Sequence, residues 1–235
     1  MLVVLIAFAN VFIWAWAVRR PARGDNAGSA QEATPAPPRP PVLVVVAPNT
    51  HSVGTSDYLD GGWVEGLRAL LPEGTRLVRL GRNGMTLRQA VELEIPQAAI
   101  EGPNVVVLWC CVNDAVTGVP LQEYEHSLRL ALHHLTTHSD ARVLLLNLPD
   151  ITVPAYDRLD PDRRDLIRGG VSQWNRSIAR VAAEFGDRVA LLDLYAAGNR
   201  IFDHGRNPQT ADQGYLAQAI WHTMHHANLL PGADR

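Results

Sequence analysis

Cysteine is nearly absent from this chain. Cys110 and Cys111 are its two cysteines, side by side. Neighbouring cysteines rarely pair with each other, so no disulfide or zinc framework is available. Both read as small buried hydrophobes. Charge is sparse too. Charged residues make up 19% of the chain against 47% hydrophobic, and the formal net charge is −3. No stripe of basic side chains and no reading motif runs through the body of the chain, which argues against a nucleic-acid partner. The apolar share is too high for a disordered polymer and fits a globular domain with a membrane element.

The 235 residues divide by composition. Residues 1–18 are apolar apart from Asn10, carry Trp14 and Trp16, and are followed at once by Arg19, Arg20 and Arg23. About 18 apolar residues is the short end of a membrane-spanning helix. Tryptophan near its end and arginine just beyond it look like an interfacial belt and a charged stop. Ala15-Trp16-Ala17 would serve as a signal-peptide cleavage site. A signal peptide, however, carries its positive charge before the apolar run, and here the charge comes after. The expectation is an uncleaved anchor over 1–18, which makes the membrane itself a partner. The Arg19, Arg20 and Arg23 cluster argues for a cytoplasmic domain. Residues 19–41, rich in proline, alanine and glycine with no apolar period, read as a linker, partly extended where the prolines cluster. The remaining segment, 42–235, is one domain of roughly 190 residues, enough for a single large core.

Within that domain strand and helix patterns alternate. Apolar runs predict strands at 42–47, 76–80, 105–109, 142–148 and 188–194. Helical spacing predicts helices at 63–71, 87–99 with a break near Pro96, 121–138, 165–185 and 213–228. Strand then helix, five times over, means an α/β fold: a five-stranded, mainly parallel sheet with helices on both faces. Ligands in such sheets bind beyond the carboxyl ends of the strands. The informative loops are therefore Pro48-Asn49-Thr50-His51-Ser52-Val53-Gly54, Gly81-Arg82-Asn83-Gly84-Met85-Thr86, Cys110-Cys111-Val112-Asn113-Asp114, and Asp203-His204-Gly205-Arg206-Asn207-Pro208 with Gly214-Tyr215 after it.

In these blocks the chain resembles the SGNH (GDSL-type) hydrolases. VVVLWCCVNDAVTG, Val105 to Gly118, is similar to the family's strand and Gly-x-Asn-Asp turn, with Asn113 and Asp114 in place. Gly81 with Gly84-x-Thr86 resembles its glycine turn, and Gln213-Gly214-Tyr215 the start of its last helix. The blocks come in the family's order across nearly the whole domain. The resemblance implies a three-layer, flavodoxin-like sandwich and an ester-cleaving site. A serine from a Gly-Asp-Ser turn would be the nucleophile. A histidine steered by an aspartate three residues earlier would be the base. A backbone N–H at the serine, the Gly81 N–H and the Asn113 side chain would hold the oxyanion.

Two of those parts differ. Pro48-Asn49-Thr50 stands where Gly-Asp-Ser is expected. Thr50 keeps a hydroxyl, but its β-methyl restricts χ1, and Pro48 lacks an N–H. Aligned on Asp203, Arg206 occupies the histidine position. Counted back from Gly214, Gln209 occupies it and Arg206 the aspartate's. His204 adjoins Asp203 directly. A threonine hydroxyl without a base is a weak nucleophile. The expectation is therefore a degenerate site: a membrane-tethered, non-catalytic structural or binding subunit of a membrane complex, with neighbouring membrane subunits as partners and a residual cleft for a small acyl or glycan ligand. The alternative is a membrane-anchored ester hydrolase or acyltransferase acting through Thr50 on lipid or glycan esters, with His51 or His204 as base. The family's habit places anchored members outside the cell, against the arginine cluster, and the side stays open.

No cofactor is expected. His134 and His138 are i, i+4, and His222, His225 and His226 cluster on the last helix, a spacing that zinc can use. No carboxylate or cysteine completes a ligand pattern, and both sets face away from the leucine stripes, so a solvated surface and no metal site is the reading. The glycosylation sequon Asn175-Arg176-Ser177 falls inside a helix and is set aside. Residues 151–164 read as a long surface loop that shapes a pocket or docks a partner.

Overall fold

The computed structural model describes residues 40–47, 62–82, 84–150, 152, 160–197 and 208–230, with side chains of the last helix from 214 onward. By its internal contacts the chain forms two units, Met1–Pro38 and Arg39–Arg235, and every described element belongs to the second. The expected anchor at 1–18 and nearly all of the linker lie outside the described residues. Among the described residues no helix is long and apolar enough to cross a membrane.

Five strands form the sheet: β1 (Val42–Val46), β2 (Arg76–Leu80), β3 (Val105–Leu108), β4 (Arg142–Leu146) and β5 (Val189–Leu192), in the order β2-β1-β3-β4-β5. All four pairings are parallel, so "mainly parallel" sharpens to wholly parallel. The helices are α1 (Trp63–Leu70), α2 (Leu87–Leu93), α3 (Ile95–Ile100), α4 (Val112–Thr117), α5 (Leu121–His138), α6 (Pro161–Ala183) and α7 (Pro208–His226). The central strands β1, β3 and β4 are buried almost end to end, as unbroken aliphatic runs require when both faces are covered.

Topology fixes the layers. From β1 the chain steps to β2 in one direction, then crosses back over β1 to β3 and continues to β4 and β5 in the other. Right-handed crossovers in opposite directions place their helices on opposite faces. So α1 lies on one face, where it packs against α7. The other face carries α2, α3, α5 and α6, packed on one another. The stripe Tyr124, Leu128, Leu132 and Leu135 of α5 is buried, as its spacing predicts. In α1, Trp63 and Leu67 are buried, while Leu70 at the end of the helix is exposed.

Several boundaries differ from the sequence reading. The break in the 87–99 helix falls at Glu94, ahead of Pro96, which takes an early position in α3. The helix expected from 165 starts at Pro161, where Asp160 accepts the Arg163 N–H at 2.8 Å as its cap. The long loop expected at 151–164 is shorter for that reason, and 153–159 lie outside the described residues. The last helix begins at Pro208, five residues before Gln213. Helix α4, read from sequence as a turn, is a short helix ended by Gly118 at φ 76°.

Candidate functional site

The strand order reverses at β1. Its neighbours β2 and β3 lie toward opposite edges, which makes the carboxyl end of β1 the switch point where sheets of this kind bind ligands. The carboxyl ends of the three strands are level. The Ala47 N–H donates to the Leu80 carbonyl at 3.2 Å, and the Trp109 N–H to the Val46 carbonyl at 3.0 Å. The chain therefore leaves β2, toward Gly81, and β3, toward Asn113, at the level where β1 ends. Thr50 and its neighbours 48–61 lie outside the described residues. Gly81 and Asn113 lie within them.

Gly81 follows β2 directly, is exposed, and has φ 137°. Few L side chains adopt that backbone, so glycine is required here. Next comes a tight turn. The Met85 N–H donates to the Arg82 carbonyl at 3.2 Å, and Gly84 has φ 80°, which a type II turn needs at its third residue. Thr86 then caps α2 in a reciprocal capping box with Gln89.

That loop is held by the residues after β3. Helix α4 places Asn113 and Asp114 in its first turn. The Asn113 side-chain amide donates to the Met85 carbonyl at 3.0 Å. Asp114 accepts the Leu87 N–H with both oxygens, at 3.2 and 2.9 Å. Burial pushes the Asp114 carboxyl up to about 6, against the pull of the Leu87 N–H. Thus Gly81 and Asn113, separate in sequence, belong to one braced edge. Glu94, buried at the α2–α3 junction, faces the same loop. Burial raises its pKa, and the backbone N–H and charge of Arg82 draw it down.

A second set of polar side chains finishes β4 and β5. Asn147 donates to Asp193 at 2.8 Å and accepts the Leu194 N–H at 2.7 Å. The Asn175 amide bonds both the N–H and the carbonyl of Leu148 at 2.9 Å. Arg168 donates to Asp150 at 2.9 Å. The sequence reading ran both strands through Asn147 and Asp193. A buried polar residue closing an aliphatic run was the available signal. For Glu94 the signal was its spacing: with Leu87 and Ala90 it lies on the buried face of α2.

Of the positions expected to hold the base and its partner, Arg206 lies outside the described residues, as do Asp203, His204 and His51. Gln209 is the second residue of α7, its side chain not described. Cys110 and Cys111 are buried and fill the base of the β3 loop. Their thiols meet the carbonyls of Val46 and Leu146 at 3.6 and 3.8 Å. The His134 and His138 rings stack at 4.3 Å. His225 stacks on Trp221 at 5.3 Å, with His222 and His226 exposed beside them. Among the described residues no three metal-ligating side chains converge.

Residues 49–224 match the family model of the GDSL-like lipases and acylhydrolases. No curated protein matches the chain. Among solved structures, TesA is similar with a TM-score of 0.60 at 23% identity, covering 80% of this chain and 99% of that one. Axe2, an acetylxylan esterase from Geobacillus stearothermophilus, aligns at 0.58 and 17% identity over 83% of this chain and 96% of its own. LAE5, an α/β hydrolase from the metagenome of Lake Arreo, aligns at 0.59 and 20% identity over 80% and 94%. At these identities the structural likeness establishes the fold.

Proposed function

The chain belongs to the GDSL-like lipase/acylhydrolase family, and on that basis we propose that it acts on ester bonds, as a hydrolase or acyltransferase whose nucleophile is Thr50. The observation that carries this reading is the braced oxyanion edge. Asn113 and Asp114 both spend hydrogen bonds on the Gly81–Leu87 loop. Such pre-organisation serves a developing negative charge.

In the reaction, the Thr50 hydroxyl attacks the ester carbonyl. Its proton passes to a histidine, His204 or His51, and the carbonyl oxygen becomes an oxyanion facing the Gly81 N–H and the Asn113 amide. Collapse expels the alcohol, which takes the proton, and leaves an acyl group on Thr50. Water or a second alcohol then accepts the acyl group. Anchoring through 1–18 would hold the domain near lipid or envelope-glycan esters.

A second reading keeps the same scaffold without turnover, as a tethered binding subunit of a membrane assembly. It is favoured by one observation: Arg206 and Gln209 stand where the aspartate–histidine pair is expected.

One experiment separates the two. The purified protein is treated with a fluorophosphonate probe and short-chain p-nitrophenyl esters beside Thr50→Ala. Labelling and turnover that vanish in Thr50→Ala support the enzyme. No labelling and no turnover in the unaltered protein sinks it and leaves the binding subunit. Extraction in mild detergent then decides that reading, since a free monomer alone would count against it.

A further inference from the structure

Helices α5 and α6 meet in the interior, where the Tyr124 and Trp174 rings lie 4.7 Å apart. On their outer sides a groove of about 590 Å³ opens between the start of α5 and the middle of α6, the size of a small-molecule site and far larger than a lone ion needs. We propose that this groove binds an acidic saccharide, with Arg176 taking its carboxylate and Gln122 and Gln173 its hydroxyls.

The lining is mostly polar: Gln122 and Glu125 from α5 face Gln173, Arg176, Ser177 and Arg180 from α6. Half of these side chains are engaged with one another. Glu125 Oε1 accepts the Ser177 hydroxyl at 2.6 Å and a bond from Arg180. Its other oxygen faces Arg129 at 3.7 Å, and Arg129 grips both oxygens of Glu184 at 2.8 Å. Ser177 is buried, so these bonds fix the inner wall of the groove. Arg176, Gln122 and Gln173 are left over. All three are exposed, and among the described residues none of them has a hydrogen bond or an ion pair.

Charge selects the ligand. Arg180 is paired with Glu125 and Arg129 with Glu184, so the positive charge left in excess is that of Arg176, on a chain whose net charge is −3. A guanidinium fits a carboxylate with two parallel N–H bonds. One excess charge balances a carboxylate, whereas a phosphate monoester carries about −1.5 to −2. Each glutamine amide both donates and accepts, as a sugar hydroxyl does. The place of the groove is fixed by Asn175, which bonds the N–H and the carbonyl of Leu148 at 2.9 Å, just past β4. The stretch from Gln173 to Arg176 is therefore level with the carboxyl ends of the strands, the end that carries Gly81 and Asn113. Binding here does not depend on the proposed chemistry.

The test is calorimetric titration of the full chain in mild detergent with digalacturonate, with neutral digalactose and with glycerol phosphate, beside Arg176→Gln, Arg176→Lys and Arg163→Gln. Arg163 is exposed in the first turn of the same helix and outside the groove, so Arg163→Gln removes the same charge elsewhere. Digalacturonate should bind saturably to the unaltered protein and to Arg163→Gln. Arg176→Gln should bind it about tenfold to hundredfold more weakly, the loss of hydrogen bonds to a charged group, and Arg176→Lys should recover part of that. Raising salt from about 50 to about 500 mM should weaken binding only where residue 176 is charged. Melting temperatures of all four proteins should agree, since Arg176 has no partner to lose. No saturable binding by the unaltered protein, equal binding by Arg176→Gln, or digalactose bound as tightly as digalacturonate overturns the proposal. Glycerol phosphate bound as tightly as digalacturonate overturns it too, in favour of a phosphorylated headgroup.

Discussion

Asp114 receives the Leu87 N–H on both of its carboxylate oxygens, at 3.2 and 2.9 Å, across 27 positions of sequence. The bond joins the first turn of α4 to the first turn of α2, where Leu87 is one of the amides that α2 cannot satisfy internally. It is 1% exposed, so the ionised form is held in a poorly solvated place and its pKa rises from 3.8 to about 6. In the unfolded chain the carboxyl titrates near its ordinary value. Between those two values the folded protein binds more protons, so stability from this group rises as pH falls toward 4 and is lost as pH climbs through 6. Asp114→Asn keeps an acceptor for Leu87 and removes the titration. Urea titrations of both proteins at pH 4.5 and pH 7.5 should show the unaltered protein gaining on the variant at the acid end, by at most about 3 kcal/mol. Parallel pH profiles would contradict this account.

Gly84 offers a cleaner case of backbone cost. Its φ is 80°, and a Cβ built there meets nothing within 4 Å. Gly84→Ala therefore adds strain without a clash. It should destabilise by about 1–2 kcal/mol through the left-handed backbone alone. The measurement is chemical denaturation. An unchanged midpoint would show that the turn relaxes into another form.

Most of the fold is legible because its signals are periodic. Apolar runs such as Val42–Val46 and Arg142–Leu146 and the α5 stripe speak through spacing alone. Helix starts were less legible where proline opens the helix, as at Pro161 and Pro208. Pro161 reads as part of a loop until Asp160 before it is recognised as a cap. The site was half legible. Gly81 and Asn113 stand out because the blocks that carry them, each following a strand, resemble the family's motifs. Asn147 does not, since it is a polar residue inside an apolar pattern whose partner, Asp193, lies far along the chain. Sequence order carries no information on such pairings until the sheet brings the loops together.

Arg188 closes the opposite end of the sheet. Its Nη2 donates to the carbonyls of Thr136, Ser139 and Ala141 at 3.3, 3.1 and 2.9 Å. These are the last carbonyls of α5 and the connection into β4, which lack partners of their own kind. Arg188→Met keeps the stem and removes the cation. It should cost about 1.5–3 kcal/mol, the range for hydrogen bonds to a charged group, with ester turnover per folded molecule unchanged because the residue is at the amino ends of the strands. Differential scanning calorimetry beside an activity assay reads both. A loss of turnover at full stability would mean that the two ends of the sheet are coupled.

Asn113 is where structure and proposed chemistry meet most directly. One function of its amide is visible: it donates to the Met85 carbonyl at 3.0 Å from a buried position, 9% exposed. The proposed chemistry gives the same amide a second task, donation to the oxyanion. The two tasks separate by variant. Asn113→Ala removes both. It should lower kcat about 100- to 1000-fold, as loss of an oxyanion donor does, and cost about 1–3 kcal/mol for the Met85 carbonyl left buried and unpaired. Asn113→Asp keeps the size and replaces the donor with an acceptor. At pH 8 it should lose turnover at least as severely, because a carboxylate repels the developing charge. A binding-only scaffold predicts otherwise: both variants would lose stability alone, and affinity for a non-reacting ester analogue would follow loop order rather than charge. Turnover measured beside denaturation for the two variants therefore tells a working oxyanion donor from a loop tie.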